Sequence, residues 1–120
     1  MRTHTFPKAE RLKSRKQIEA LFRSGKSFNV FPLRVFYRWE GEGIPRVGVG
    51  APKRHFKRAV DRNRIKRLLR EGYRLQKQVL SDAPPGLHVF IVYTGKELPD
   101  QTGVIEKIGV VLKKLRDLRP

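Results

Sequence analysis

The sequence predicts an α+β fold, an α/β sandwich whose elements run helix, strand, strand, helix, strand, helix. Three observations predict it. Residues 57–80 carry apolar side chains at helical spacing along one side. Leu33–Trp39 alternates, with Leu33, Val35, Tyr37 and Trp39 on one face of a strand. Leu87–Tyr93 is nearly all apolar, the composition of a central strand covered on both faces.

Taken in order, residues 1–11 are polar and basic with one proline, Pro7, and read as a flexible basic arm. Ser14 and Gln17 have the spacing of a capping box. A short helix should follow, with Ile18, Leu21 and Phe22 on one side and Gly25 as its stop. After the strand at 33–39, Glu40–Pro45 forms a turn, and Arg46–Ala51 is expected back as the second arm of a hairpin. Gly48 and Gly50 share a face of that strand, where missing side chains let another element lie close. Ser81–Gly86, with Pro84 and Pro85, ends the long helix. Thr94–Gly103 reads as a loop with Pro99, and a last helix is expected from about Val104 to Leu118. Nothing divides the 120 residues, so residues 1–120 are expected to form a single domain.

The long helix is the informative element. At about 100° per residue, Ile65, Leu68, Leu69, Gly72, Tyr73, Val79 and Leu80 gather on one side. Asn63, Lys66, Arg67, Arg70, Arg74 and Lys77 gather on the other, flanked by Arg62 and Arg64. A basic helical face is ordinarily a solvated one. Here only Asp61 and Glu71 offset it, too few acids for a lattice of i,i+4 ion pairs. Most of the cations are arginines, whose planar fork suits phosphates and base edges.

The whole chain leans the same way, with 28 Lys+Arg against 11 Asp+Glu and a formal charge of +17. Self-repulsion of that size points to a polyanionic partner. No apolar run approaches the roughly 18 residues of a membrane span. Residues 1–8 lack the apolar core of a signal peptide, so a cytoplasmic location is expected. The absence of cysteine excludes disulfides, thiolate zinc sites and cysteine nucleophiles.

No catalytic constellation stands out. His4, His55 and His88 have no partner at metal-ligand or triad spacing, and the acids are scattered singly. No D-x-D or H-x-E group is present to hold a pair of magnesium ions. Gly48-x-Gly50 lacks the third glycine of a nucleotide fingerprint. Aromatic residues crowd one third of the chain among cations: Phe22, Phe28, Phe31, Phe36, Tyr37 and Trp39 beside Arg23, Lys26, Arg34 and Arg38. Such surroundings hold unstacked single strands, although at least half of these rings are expected in the core. Phe22 and Tyr37 are the chosen candidates for a cleft floor.

The run Arg62-Asn63-Arg64-Ile65-Lys66-Arg67-Leu68-Leu69-Arg70-Glu71, preceded by Arg46-Val47-Gly48-Val49 and Pro52-Lys53-Arg54, closely resembles the protein subunit of bacterial ribonuclease P. Arg11-Leu12-Lys13 and Phe22-Arg23-x-Gly25 match the family's first helix, so the resemblance covers residues 11 to about 118. It implies a ribosomal-protein-S5-like fold with a left-handed βαβ crossover, against the usual hand. It also implies a role: assisting a catalytic RNA that removes the 5′ leader from precursor tRNA, with Mg2+ and the chemistry belonging to the RNA. No catalytic group, metal or cofactor is then expected in the chain itself.

Carried onto this sequence, the implied RNA-binding residues are Lys53, Arg54, Arg58, Arg62, Asn63, Arg64, Lys66, Arg67, Arg70 and Arg74. The implied leader cleft uses Phe22 and Tyr37, with Ile18 where relatives can have phenylalanine. The loop Lys53–Arg58 is one residue longer than usual and lacks the glycine often found there. The partners implied are ribonuclease P RNA and precursor tRNA, with no membrane and no DNA. A structural RNA-binding protein of ribosomal or assembly-factor type shares the charge and size. A DNA-binding role is weakened by the lack of a helix-turn-helix pair.

Overall fold

The computed structural model describes residues 6–40 and 42–120. Its elements are helix α1 (Arg15–Ser24), strands β1 (Lys26–Val30), β2 (Leu33–Trp39) and β3 (Arg46–Gly50), helix α2 (Ala59–Gln76), strand β4 (Leu87–Tyr93) and helix α3 (Gln101–Asp117). Short 3-10 turns occupy Lys8–Glu10 and Lys77–Asp82.

The four strands form one sheet in the order β1-β2-β4-β3. The apolar β4 lies inside it, antiparallel to β2 with Val35 opposite Ile91, and parallel to β3 with Val47 opposite Val89. The expected β2–β3 hairpin therefore does not form. A strand apolar on both faces belongs between two others, and β4 takes that place by separating β2 from β3. The parallel pair then requires a crossover, which α2 supplies.

The hairpin that does form joins β1 to β2 through Phe31 and Pro32, with Val30 opposite Leu33. Strand β1 escaped sequence reading because it is short and lies at the edge. Only Phe28 and Val30 turn partly inward, and Lys26, Ser27 and Asn29 stay exposed.

One core sits between the sheet and helices α2 and α3. Leu33, Val35 and Tyr37 of β2 and Leu87, Val89, Ile91 and Tyr93 of β4 meet Ile65, Leu69 and Tyr73 of α2. Val104, Ile108, Val111, Leu112 and Leu115 of α3 complete it. Gly72 makes the helix pair tight, because a Cβ there would lie 3.0 Å from Ile108 Cγ1.

Helix α1 lies on the opposite face of the sheet. Ser14 accepts a hydrogen bond from Gln17 N, as its spacing predicts. Gly25 ends the helix with an ordinary φ of −78°. A Cβ there would come within 2.6 Å of Leu21 O, so closeness rather than left-handed geometry selects glycine.

Helix α3 begins three residues before its expected start, because Asp100 caps it by accepting from Gly103 N. The loop reading of 94–103 is corrected accordingly: a glycine in the first helical turn hid the helix start. Ser81 and Asp82, expected outside any helix, close the 3-10 turn that follows α2.

Residues 6–11, expected as part of a flexible arm, are docked. Arg11 bridges to Val47 on the outer edge of β3, and Leu12 N donates to Val47 O at 3.1 Å. Phe6 packs on Tyr73 with ring centroids 5.1 Å apart, and Glu10 pairs with Lys77 at 2.8 Å. The remainder of the expected arm, residues 1–5 with His4, lies outside the described residues.

Candidate nucleic-acid interface

Burial of Ile65, Leu69, Gly72 and Tyr73 fixes the rotation of α2, so the polar side of the same helix must face outward. Asn63, Arg64, Arg67 and Arg70 are exposed there, and Lys66 is half-buried. Lys53, Arg54, Lys57 and Arg58 are exposed on the loop that enters the helix. The motif is thus displayed to solvent along most of its length.

Its cations are not equivalent. Arg64 and Arg67 line a cavity of about 490 Å3 together with Arg58 and Asn63. Arg70 instead lines a cleft of about 440 Å3 that crosses the outer edge of β3 and reaches Ile18 on α1. Arg11 and Lys13 add charge to that cleft, and Gly48 and Phe90 contribute to its floor. Arg62 turns inward, and its Nη1 donates to Phe56 O and Lys57 O, both at 2.8 Å. Arg74 pairs with Glu71 at 2.7 Å, and Lys77 with Glu10. These last three cations of the basic strip are engaged within the protein.

The Glu10–Lys77 pair is the more consequential of the two ion pairs, since its side chains are only 18% and 14% exposed. It holds the N-terminal segment against the end of α2. The Tyr73 hydroxyl nearby is pushed well above its usual range, by burial first and by the Glu10 charge second. That tyrosine is neutral throughout the physiological range.

Beside the cleft lies an aromatic shelf. The Phe22 ring stands edge-on to Phe36 at 4.9 Å and to Phe90 at 5.4 Å, and Phe22 is 49% exposed. The Arg34 guanidinium sits 5.2 Å over the Phe36 ring. Phe90 in turn fills the space above Gly48 and Gly50, where added Cβ atoms would lie 2.7 and 2.9 Å from its ring. The close approach expected at the paired glycines is made by this phenylalanine.

Phe22 and Tyr37 do not share a floor. Tyr37 points to the opposite face of the sheet, 9% exposed, and packs against Phe28 and Trp39 in or beside the core. The ring that meets Phe22 belongs to the preceding residue, Phe36. The signal for this was in the alternation: Tyr37 keeps phase with Leu33 and Val35, whereas Phe36 keeps phase with Arg34 and Arg38. Ile18 and Arg70 are brought to one cleft, Phe22 stands next to it through Phe90, and Tyr37 is separated from both by the sheet.

His88 also lies on the α1 face, with Arg38 and Arg46 as its lateral neighbours on β2 and β3. It is buried and its Nδ1 has no hydrogen-bond partner among the described residues. Its pKa falls below the usual 6.5, chiefly through burial, with Arg46 and Arg38 adding to the fall and Glu40 opposing it. Among the described residues no group of three His, Cys, Asp or Glu is placed to hold a metal ion. No helix described is long and apolar enough to cross a membrane.

Residues 6–116 match the family model described as Ribonuclease P. The chain is 41% identical over 105 residues to the ribonuclease P protein component of Porphyromonas gingivalis, covering 82% of this chain and 77% of that protein. With the corresponding component of Nitrosococcus oceani the identity is 39% over 80 residues, or 67% of each chain. The fold is similar to the RNase P protein from Thermotoga maritima, with a TM-score of 0.73, 28% identity, and 92% of this chain and 99% of that chain covered. The Staphylococcus aureus RNase P protein superposes with a TM-score of 0.74 at 22% identity, covering 89% of this chain and 95% of that one, a likeness of fold.

Proposed function

The chain belongs to the ribonuclease P protein family, and from that premise we propose that it binds both the catalytic RNA of ribonuclease P and the 5′ leader of precursor tRNA. As a component of an RNA-processing endoribonuclease it needs no nuclease centre of its own. Hydrolysis, with its Mg2+, is assigned to the RNA. A cytoplasmic location follows from that role.

One observation carries the reading. The basic face of α2 is open to solvent at Asn63, Arg64, Arg67 and Arg70, and it adjoins a cleft that also reaches α1 and an aromatic shelf. A leader leaving the tRNA is single-stranded, so its bases can stack on rings while its phosphates meet cations. Phe22 and Phe36 supply the rings, Arg34 caps one of them, and Arg70, Arg11 and Lys13 supply charge in the cleft. Arg58, Asn63, Arg64 and Arg67 face a separate cavity around the start of α2, and we assign them to the catalytic RNA. The loop residues Lys53 and Arg54 are assigned to the same partner. Lys66, half-buried on the same helix, is assigned to RNA as well.

Precursor-tRNA cleavage by protein alone, RNA alone and both together, at low Mg2+, tests the division of labour. The protein alone is expected to leave the substrate intact, and the mixture to cleave it faster than RNA alone. Cleavage by RNase-free protein that disappears on mutation of an Asp or Glu would overturn the reading.

A further inference from the structure

Arg62 and Arg64 open the motif as an apparently matched pair, yet the fold employs them differently. Arg64 is exposed beside Arg67, whereas the Arg62 side chain folds back along the axis of α2. One nitrogen, Nη1, donates to two successive carbonyls, Phe56 O and Lys57 O, each at 2.8 Å. Those carbonyls end the loop that carries Lys53, Arg54, Lys57 and Arg58. The same loop is turned by two hydrogen bonds onto Pro52 O, from His55 N at 3.3 Å and Phe56 N at 3.2 Å. It is pinned from below by Phe56, which is buried in the core against Tyr93 with ring centroids 5.9 Å apart. Arg58, at the start of α2, makes no side-chain cap of its own. The loop is therefore held at two points, by a ring in the core and by a guanidinium reaching back from the first turns of the helix.

We propose that Arg62 is a positioning residue: it clamps the loop 53–58 so that its four cations are presented to RNA as one preformed surface, and it does not itself contact RNA. The proposal rests on the reading of that loop as an RNA contact. The physical case is one of preorganisation. Four like charges on a short loop repel one another, and fixing them together on binding costs conformational entropy. A clamp made in the free protein removes that cost from the binding step. A guanidinium suits the task, because its planar donors reach two adjacent carbonyls, whereas a lysine ammonium is a compact, strongly hydrated point charge. The same construction accounts for Phe56, which anchors the loop midway while Arg62 clamps its end.

The test compares Arg62→Ala and Arg62→Lys with Arg67→Ala, and reads the free protein first. Hydrogen exchange at the amides of His55 and Phe56 reports the turn. It is expected to quicken about tenfold in both Arg62 variants, the effect of losing roughly one net hydrogen bond, and to stay unchanged in Arg67→Ala. Affinity for ribonuclease P RNA is read second. Arg62→Lys should weaken binding nearly as much as Arg62→Ala, despite keeping its charge. Arg58→Ala should then cost less in the Arg62→Ala background than alone, because without the clamp the loop no longer presents Arg58 in place.

Unchanged exchange overturns the proposal. So does near-native affinity in Arg62→Lys, or losses at positions 58 and 62 that simply add. If exchange responds but Lys53→Ala, Lys57→Ala and Arg58→Ala all leave RNA affinity intact, the loop is not an RNA contact. That outcome overturns the proposal through its premise while leaving the clamp itself standing.

Discussion

On the face of the sheet turned to α2 and α3, Leu33, Val35, Tyr37, Val89 and Ile91 are buried almost completely. On the face turned to α1, the residues between them are Arg34, Phe36, Arg38, His88 and Phe90, and the helix covers only part of them. The same two strands thus build a sealed core on one side and a half-open aromatic shelf on the other. Adjacent residues divide cleanly between the two because the pleat turns successive side chains to opposite faces. Phe36 and Tyr37 are the sharpest case. Both are aromatic and one peptide bond apart, yet one meets Phe22 beside the cleft and the other packs under the sheet.

The strongest way to break this comparison is at Tyr37. Tyr37→Ala is expected to lower unfolding stability by about 3–5 kcal/mol, the range for truncating buried aromatics. The protein that remains folded should bind leader normally. Chemical denaturation together with a leader-binding titration checks both halves, and a specific loss of leader affinity without loss of stability would place Tyr37 in the cleft after all.

Next in size is Gly72→Leu, which intrudes where α2 packs against Ile108 of α3. A Cβ would already meet Ile108 Cγ1 and Cβ at 3.0 and 3.3 Å, and a leucine adds three more carbons beyond it. Overpacking should cost about 1–3 kcal/mol, more than the roughly 1 kcal/mol of helix propensity that replacing glycine returns. An unchanged melting temperature would mean that the helix pair has slack there.

On the open face the expected effect moves from stability to binding. Phe22→Ala and Phe36→Ala should each weaken binding of a precursor with a several-nucleotide leader by about one to two powers of ten, the worth of a stacked base. A substrate with a single-nucleotide leader should be unaffected. Their salt slopes should stay close to that of the native protein, whereas Arg70→Ala should lower the slope by about 0.7 log unit per phosphate on a single strand. Equal losses on both substrates would make the shelf a packing feature and erase the distinction between the faces.

The smallest effect belongs to His88, a buried imidazole on the α1 face of the sheet. Its folded pKa lies below the unfolded 6.5, so folding favours the neutral ring. The favourable contribution is complete above about pH 6.5 and is lost as pH falls through the folded value. Measured stability should decline across that acidic window, and His88→Gln should flatten the decline. A decline of undiminished size in the variant would assign it to the carboxylates.

Much of this was legible from residues alone. The helical spacing of Ile65, Leu69, Gly72 and Tyr73 fixed which side of α2 is buried, and so which side carries the arginines. Alternation gave β2 its bounds, and near-continuous apolarity gave β4 its central place. Those signals are local periodicities, written into a few consecutive residues.

What the sequence could not determine is how distant segments meet. The insertion of β4 between β2 and β3 depends on pairing across the chain, and local alternation says nothing about partners. The docking of residues 6–12 along β3 depends on Val47 offering a free edge and on Glu10 finding Lys77. The roles of the cations were the least legible of all. Arg62, Arg64 and Arg70 are chemically identical in sequence. Only the packed structure, by bringing carbonyls within reach of one, a cavity beside the second and the cleft beside the third, makes them a clamp, an exposed cation and a cleft wall.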